Sequence, residues 1–361
     1  MCTTNSLINI LTLNNISFKR NLNLKNVTYS CTGSTANYYI QPTTINKLVL
    51  LVKELNKLKI DYLICGGTTN LLFLDFVNYD CIINTSLIND FSVKNNIATV
   101  SSGIELSKFV RLCLINGFVG FEGLEGIPGT IGGAVFQNAG AYGYHISDKI
   151  ISVTCCDKKG NITIIDKNNC LFGKRFSLFQ NEEYIILEVN FQLELGDINL
   201  AEKKIEAFHI ARHSYQEWVY PNLGSVFVTN TNVYDSFSKK KITYKILLII
   251  IKIITNNPVY KRWFRKSPSN KLKNILVSKL INSKIPKNVY SHKSINTFTN
   301  KGYKSIDILF YYSEMLHSLG EDARLENEIV LNPMNQVINE ADYKEFKSII
   351  SLHKKIKDKI K

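Results

Sequence analysis

The feature that most constrains this chain is a stretch of nearly bare backbone, GFEGLEGIPGTIGGAVFQNAGAYG, at residues 120–143. Eight of the chain's nineteen glycines lie within it. Five of these glycines recur at every third position, but the run is too short and too poor in proline for collagen. Pro128 and the glycine content argue against a helix. The pattern therefore predicts a loop whose backbone N–H groups approach a large anionic ligand, because glycine leaves them uncovered.

A second glycine loop follows a predicted buried strand in LICGGTTNLLF, residues 63–73. Residues 66–70, GGTTN, would offer backbone N–H groups and two hydroxyls there. The segment matches neither GxGxxG nor a P-loop, so alone it is a weak signal. Beside the longer loop, it predicts two phosphate-facing segments that hold one dinucleotide.

The rest of the chain alternates helical and strand patterns. Residues 45–60 place leucines at helical spacing with lysines on the other side, which predicts an amphipathic helix. Residues 151–165 predict a hairpin, residues 200–218 a further helix and residues 325–333 a strand. We therefore expect two or three domains that combine helices and strands.

The positive charge of the chain is regional. The formal net charge is +14. Residues 236–306 hold seventeen Lys and Arg and no acidic residue, so the remainder of the chain is slightly acidic. This basic segment is either a solvated surface or one that meets a polyanion or a membrane.

The cysteines and the N-terminus indicate a reducing cytoplasm. The eight cysteines form no CxxC pair and are too sparse for a disulfide scaffold. The first residues lack the basic start and cleavage site of a secretory signal, and the longest apolar run, residues 246–251, is too short to span a bilayer. The six histidines show neither HxH nor HExxH spacing, so no metal site is expected.

Five motifs, in the same order, resemble those of one enzyme family. Residues 126–143 match its GIPGTxGGAxxxNAGAYG segment, and residues 66–72 approximate its GxGSNxL loop. CLFGKRFSLF at 170–179, QEWVYPNLGSVF at 216–227 and LENEIV at 325–330 are similar to its three later motifs. On these residues the chain resembles the UDP-N-acetylenolpyruvoylglucosamine reductases, flavoenzymes of bacterial peptidoglycan synthesis.

The resemblance implies an α+β fold, with a two-subdomain FAD-binding module of the vanillyl-alcohol-oxidase (PCMH) type and a C-terminal α+β substrate-binding domain. It also implies non-covalent FAD that NADPH reduces before the nucleotide sugar binds. The reaction would reduce UDP-N-acetylglucosamine enolpyruvate to UDP-N-acetylmuramate. The expected parts are an N-terminal segment at 1–27, FAD-binding subdomains at 28–110 and 111–215, and a substrate-binding domain at 216–361 with an insertion near 229–272.

The resemblance further assigns binding residues. Lys174 and Gln216 would contact the substrate. FAD would be held mainly by backbone N–H groups of the two glycine loops. The residues assigned to FAD are Gly66, Gly67, Thr68, Thr69, Asn70, Gly126, Ile127, Gly129, Thr130, Gly132, Gly133, Asn138, Gly140, Ala141 and Tyr142.

The chemistry gives a reason for the catalytic candidates Arg175, Ser225 and Glu328. Hydride addition to the enolpyruvyl ether leaves carbanion character beside a carboxylate, and the arginine fork of Arg175 would stabilise that developing charge. The basic carbanion would take a proton from Ser225, with the apolar residues that follow it excluding water. Glu326 and Glu328 fall on one face of the predicted strand, and the family match selects Glu328 to support the intermediate.

Several positions depart from the family pattern. Thr68 stands where the family has glycine, Lys174 where it has tyrosine, Glu217 where it has proline and His145 where many members have glutamate. These changes leave the three catalytic candidates in place. We expect them to alter substrate affinity rather than abolish activity.

A long insertion within residues 236–272 leaves two alternatives open. Its apolar part predicts a helix that either packs on the C-terminal domain or, with nearby lysines and Trp263, makes a weak membrane-surface contact. We expect a monomer that does not bind nucleic acid. The rival functions are another FAD-dependent oxidoreductase of this fold that acts on a different sugar or acid, and a non-enzymatic basic binder of nucleic acid or membrane.

Overall fold

The computed structural model describes residues 2–180, 184–237, 242–259, 269–278, 288–321, 323–331 and 336–361. The chain forms two compact units, each built from separate stretches. The first unit comprises 1–22, 35–68 and 79–210, and the second comprises 23–34, 69–78 and 211–361. The finer division into two FAD-binding subdomains stays a prediction.

Helices and strands alternate along most of the described chain. The helices are α1 (Cys2–Leu13), α2 (Ile45–Leu58), α3 (Leu106–Ile115), α4 (Ile131–Phe136), α5 (Ile198–Tyr215), α6 (Val233–Phe237), α7 (Ile242–Asn256), α8 (Ser269–Ser278), α9 (Ser305–Leu319), α10 (Glu340–Leu352) and α11 (Lys354–Lys357). The strands are β1 (Ser17–Asn23), β2 (Thr35–Gln41), β3 (Leu63–Cys65), β4 (Leu71–Phe73), β5 (Val77–Asn84), β6 (Phe91–Lys94), β7 (Ile97–Ser101), β8 (Phe118–Val119), β9 (Gly140–Ala141), β10 (Tyr144–His145), β11 (Ile150–Cys156), β12 (Ile162–Asp166), β13 (Ile185–Gln192), β14 (Glu194–Leu195), β15 (Phe227–Val228), β16 (Arg324–Leu325), β17 (Glu328–Val330) and β18 (Gln336–Val337).

One core of the first unit lies between a parallel sheet and helices. β5 pairs in parallel with β2 on one side and β3 on the other, and the leucines at 48, 51 and 55 of α2 are buried. The helix predicted at 45–60 is therefore confirmed over Ile45–Leu58. Thr44 caps its start by accepting a hydrogen bond from the Lys47 N–H, and left-handed Lys59 ends it. The strand β3 leads directly into the first glycine loop.

The second core of this unit covers an antiparallel sheet with strand order β12-β11-β13-β7-β6. β11 and β12 form the hairpin predicted at 151–165. Phe109 of α3 packs its ring 4.8 Å from that of Phe191 on β13 and 4.9 Å from that of Phe121. This aromatic cluster fixes α3 and the start of the glycine-rich stretch on the sheet.

The glycine-rich stretch is only partly a loop. Helix α4 lies inside it, so the prediction that excluded a helix is wrong for residues 131–136. Pro128 precedes the helix and removes none of its internal hydrogen bonds, and the Thr130 side chain caps the helix by accepting from the Gly133 N–H. Ile131 and Val135 are buried in the core of the antiparallel sheet. This burial outweighs the low helix propensity of the glycines.

The second unit is built around α9. Tyr311 and Tyr312 of this helix are fully buried, and both rings lie 6.1 Å from the ring of Phe227. β15 pairs antiparallel with β16, and β17 pairs in parallel with β4, with Ile329 opposite Leu72. The unit is therefore held by one buried helix and short strand pairs rather than by a large sheet.

The single strand predicted at 325–333 is divided. β16 ends at Leu325 and β17 begins at Glu328, because the chain changes its pairing partner from β15 to β4 between them. Residues 332 and 333 of the prediction lie outside the described residues.

The insertion contributes α6, α7 and α8, which pack on one another in the second unit. The predicted apolar helix is confirmed as α7. Trp263 and the rest of residues 260–268 lie outside the described residues. Within the described chain, no helix is both long enough and apolar enough to cross a membrane.

Candidate functional site

The two glycine loops lie against each other in the first unit. A Cβ atom at Gly66 would lie 2.2 Å from Thr130 Oγ1, so no larger residue fits without displacing Thr130. The Gly66 carbonyl accepts a hydrogen bond from Asn84 Nδ2 at 2.7 Å, which fixes the loop where β3 ends. The two segments predicted to face phosphates are therefore side by side at these residues, although their part in binding stays a prediction.

Backbone N–H groups of the two glycine loops divide into two classes. Those of Ile131 and Gly132 donate at 2.8 Å to the carbonyls of Ile104 and Ser102, so the protein itself uses them. Those of Gly67 and Gly129 make no hydrogen bond to any residue that the structure describes. The second class can bind an anionic group without first breaking a hydrogen bond within the protein.

Two buried polar atoms at the longer loop also lack a partner among the described residues. They are Ser102 Oγ and Asn138 Oδ1. Ser102 lies against the longer loop, because a Cβ at Gly132 would be 2.9 Å from Ser102 Cβ. Leaving a buried polar atom unpaired costs about 1–3 kcal/mol. Such atoms are expected where a ligand supplies the missing hydrogen bond. Sequence reasoning missed Ser102, since no motif contains it.

A buried carboxylate anchors the start of the longer loop. Glu125 directly precedes Gly126 and is almost fully buried. Arg111 of α3 donates to Glu125 Oε1 from Nη2 at 2.8 Å and from Nε at 3.2 Å, and His209 of α5 bonds to the other oxygen. These two partners compensate the buried charge and tie the loop to two helices.

Aromatic stacking holds the far end of the stretch. The ring of Tyr142 stacks on that of Phe208 at 4.3 Å, with an angle of 5° between the planes. The Tyr142 hydroxyl also donates to the Phe208 carbonyl at 3.3 Å. A Cβ at Gly140 would lie 2.6 Å from the Tyr144 carbonyl oxygen. The loop is therefore fixed at both ends, and Gly140 is required by close packing.

Arg175 combines an unusual backbone with a fixed side chain. Its φ is +57°, a left-handed conformation that costs a residue other than glycine about 1 kcal/mol or more. Its Nη2 donates to the Gly140 carbonyl at 3.0 Å, and its own carbonyl accepts from Gln180 Nε2 at 3.0 Å. Strain of this kind often occurs at functional sites. The neighbouring Lys174 is exposed.

Glu328 is held in the second unit by an asparagine pair. Asn70 accepts from the Glu328 N–H through its carbonyl at 2.9 Å and from Asn327 Nδ2 through its side chain at 2.8 Å. Asn70 Nδ2 in turn donates to the Glu326 carbonyl at 3.1 Å. Asn70, predicted to bind FAD, therefore also fixes the strand that carries Glu328.

Glu326 and Glu328, which the alternation of the sequence does not distinguish, differ in burial and in contacts. Only 4% of Glu328 is exposed, and its Oε2 lies 2.8 Å from Lys361 Nζ. Burial lowers the pKa of Lys361, and the attraction of Glu328 opposes that shift. Glu326 is half-buried instead. Nothing in the sequence signals the Lys361 contact, because the two residues are far apart in the chain.

Ser225 lies beside the glutamate segment in the second unit. The Val226 carbonyl accepts from the Glu326 N–H at 2.7 Å, and Phe227 pairs with Leu325. Val226 and Phe227 are buried, whereas Ser225 is exposed. The expectation that these apolar neighbours shield Ser225 from water is therefore wrong, because their side chains enter the core of the unit.

The segment before Ser225 is pinned by Glu217, which stands where the family has proline. Its carboxylate accepts from the Val219 N–H at 2.8 Å and from Ser291 Oγ at 2.7 Å. Burial raises the pKa of Glu217, but these hydrogen bonds outweigh burial and lower it. Gln216 is half-buried at the end of α5. Glu217 thus replaces the rigidity of a proline with hydrogen bonds.

The candidate catalytic residues fall in both units. Arg175 belongs to the first unit, and Ser225 and Glu328 belong to the second, where their two segments are bonded to each other. Among the described residues, no cluster of His, Cys, Asp and Glu is suited to a metal ion.

The cradle in the first unit fits FAD. Its unused N–H groups at Gly67 and Gly129 suit a pyrophosphate, and Ser102 and Asn138 offer buried polar atoms to a large polar ligand. Because Gly66 has no side chain, the two loops can pack directly against each other at Thr130.

Comparisons with known proteins also indicate an FAD-binding module in this part of the chain. A family model described as an FAD binding domain matches residues 36–166. The chain is 32% identical over 212 residues to the UDP-N-acetylenolpyruvoylglucosamine reductase of Listeria innocua, covering 59% of this chain and 71% of the relative. It is 31% identical over 209 residues to the same enzyme of Lactococcus lactis subsp. cremoris, covering 58% and 70%.

A solved structure shares the fold. The crystal structure of UDP-N-acetylenolpyruvylglucosamine reductase from Thermus caldophilus superposes with a TM-score of 0.62 at 19% identity. The match covers 87% of this chain and 98% of that one. The α+β fold with an FAD-binding module, expected from the sequence, is thereby confirmed.

Proposed function

The chain belongs to the UDP-N-acetylenolpyruvoylglucosamine reductase family, and we propose that it reduces UDP-N-acetylglucosamine enolpyruvate to UDP-N-acetylmuramate, with NADPH as reductant, in peptidoglycan precursor synthesis. The observation that carries the proposal is the contact of Gly66 with Thr130, which joins the two glycine loops into one cradle. That cradle accounts for the glycine content, which a non-enzymatic binder of nucleic acid or membrane leaves unexplained.

FAD, when bound non-covalently in this cradle, would carry a hydride from NADPH to the substrate. The groups that would hold it are the N–H groups of Gly67 and Gly129 and the polar side chains of Ser102 and Asn138. The other residues of the two loops assigned from the sequence would shape the cradle and stay proposals.

Arg175 would bind the carboxylate next to the reacting double bond. Hydride addition at the terminal carbon leaves negative charge on the α-carbon and this carboxylate, so a guanidinium there stabilises the intermediate more than the substrate. The hydrogen bond of Arg175 to the Gly140 carbonyl fixes one end of the guanidinium in advance. Lys174, exposed beside it, would meet the anionic groups of the nucleotide.

Ser225 would donate the proton that completes the lactyl ether. Since Ser225 is exposed, the bound substrate itself would have to exclude water from the hydroxyl. Glu328 would support the charge of the intermediate through its proton or an ordered water, held in place by the Asn70 carbonyl and Lys361. Gln216 would contact the substrate near this segment.

The oligomeric state, the compartment and the membrane contact expected from the sequence are part of the proposal. The chain would act as a monomer in the cytoplasm, and residues 236–272 would make a weak membrane-surface contact.

The direct test is the dependence of NADPH oxidation on the nucleotide sugar. We expect UDP-N-acetylglucosamine enolpyruvate to accelerate NADPH oxidation strongly over the rate with dioxygen alone, with one UDP-N-acetylmuramate formed per NADPH. Equal rates with and without the sugar would favour a different FAD-dependent oxidoreductase of this fold.

A further inference from the structure

Helix α7 exposes one continuous apolar face. Its side chains Tyr244 and Leu248 are buried, each only 2% exposed. Seven large apolar side chains of the same helix are exposed by between 44% and 69%. They are Ile242, Ile246, Leu247, Ile249, Ile250, Ile253 and Ile254.

The exposed residues form a face because of helical geometry. At about 100° per residue, they fall in one arc of roughly 160° centred opposite Tyr244 and Leu248. Thr243, near the start of the helix, is the one polar residue of α7 within that arc. Scattered exposed hydrophobic residues need no explanation, but a contiguous apolar patch of this kind marks an interaction surface. We call these seven residues the isoleucine face.

The side of α7 opposite the isoleucine face packs against neighbouring helices. The Tyr244 ring packs 6.3 Å from that of Phe237 in α6. Lys252 Nζ of α7 lies 2.8 Å from Asp235 Oδ1 of α6. α7 also packs on α8. The isoleucine face is therefore the solvent-exposed side of a helix whose opposite side is packed on α6 and α8.

Charge around the face selects the partner. Lys245 is exposed on α7, next to this face in the helical arc. The sequence segment 236–306, which contains α7, carries seventeen basic residues and no acidic one. Nucleic acid would meet the charges but leave seven apolar side chains uncovered. An anionic lipid surface matches both the basic charge and the apolar side chains. Its headgroups attract lysine, and isoleucine is buried at the boundary between headgroups and acyl chains.

We propose that the isoleucine face docks the protein on anionic phospholipid membranes, with α7 lying flat in the interface. The helix has 15 residues. It is thus about 22 Å long, shorter than the roughly 30 Å hydrocarbon core, so it cannot span the bilayer. Docking of this kind needs both apolar burial and basic charge, so it is weakened by salt and by neutral lipid.

Vesicle flotation of the full chain tests the proposal. The vesicles are phosphatidylcholine alone, or phosphatidylcholine mixed with phosphatidylglycerol. The test variant carries Ile246→Glu and Ile253→Glu. The matched control carries Ile162→Glu and Ile164→Glu, which changes the charge equally at two exposed isoleucines of β12.

We expect the unchanged chain and the control to float with the anionic vesicles and not with phosphatidylcholine alone. The test variant should lose about tenfold or more of its vesicle-bound fraction. Thermal unfolding midpoints within a few degrees of one another show that all three proteins are folded.

Two results would overturn the proposal. One is equal flotation of the test variant and the control, which would leave only a non-specific charge effect. The other is a dimer of the unchanged chain in sedimentation experiments that becomes a monomer only in the test variant, because a second copy would then cover the isoleucine face.

Discussion

Gly66 packs directly against Thr130, two residues from glycine loops that lie far apart in the sequence. The contact leaves room for no side chain at position 66, and it sets the loop after β3 beside the start of α4. The family's glycines thus have two separate physical roles in this chain. Some leave a backbone N–H uncovered for a ligand, and others, such as Gly66 and Gly132, let two segments of the chain pack closely.

The substitution Gly66→Ala should empty the cradle of flavin. Its Cβ would meet Thr130 Oγ1 at 2.2 Å and Cγ2 at 3.0 Å, so Thr130, which caps α4, must be displaced. We expect at least a tenfold loss of FAD bound per chain, measured from the absorbance released on denaturation. Gly173→Ala is the control, because its Cβ would make ordinary contacts of 3.7 Å with Phe176.

Adding Thr130→Gly to Gly66→Ala should restore flavin binding in part, since the clashing atoms are then gone and glycine is tolerated at a helix N-cap. Retention of full flavin content by Gly66→Ala alone would refute the role of this contact.

The substitution Arg175→Gly should abolish activity while leaving stability nearly unchanged. Glycine adopts φ +57° without strain, which offsets the lost hydrogen bond to Gly140, so the free energy of unfolding should change by no more than about 1–2 kcal/mol. Reduction of the nucleotide sugar should fall by about 10²-fold or more. NADPH oxidation by dioxygen should persist. A variant that keeps its sugar-dependent rate would exclude Arg175 from charge stabilisation.

The substitution Ser225→Ala should separate the two halves of the reaction. Ser225 is exposed and makes no hydrogen bond to any residue in the described part of the chain, so its removal should leave stability within about 0.5 kcal/mol. Pre-reduction by NADPH should proceed at the wild-type rate, and the subsequent oxidation by the sugar should slow by about 10²–10⁴-fold. Equal slowing of both steps, measured by stopped flow, would argue against a proton donor.

Glu328→Gln and Glu326→Gln form a matched pair two residues apart. Glu328 is buried and bonded to Lys361, whereas Glu326 is half-buried. We expect Glu328→Gln to lower kcat at least tenfold, and Glu326→Gln to leave kcat and KM within about a factor of two. The reverse order would show that the wrong glutamate has been assigned.

Much of the framework could be predicted from local patterns. The leucine spacing located α2 because helix burial follows a period of 3.6, and the family motif located both loops. The strand at 325–333 was predicted as continuous because alternation does not reveal a change of pairing partner. The helix at 131–136 was missed because tertiary burial of Ile131 and Val135 outweighs glycine propensity.

The site shows the same limit. Motifs selected Arg175, Ser225 and Glu328 as candidates, but the partners of Arg175 and Glu328, which are Gly140 and Lys361, come from distant segments and carry no local signal. The exposure of Ser225 was also hidden, because neighbouring apolar residues can point into the core rather than over the hydroxyl.

The most direct test of the central claim is an anaerobic titration of the purified chain. The account predicts a yellow protein with one FAD per chain, whose colour is bleached by one equivalent of NADPH and restored by one equivalent of UDP-N-acetylglucosamine enolpyruvate. A colourless protein, or a bleached one that only dioxygen restores, would contradict it.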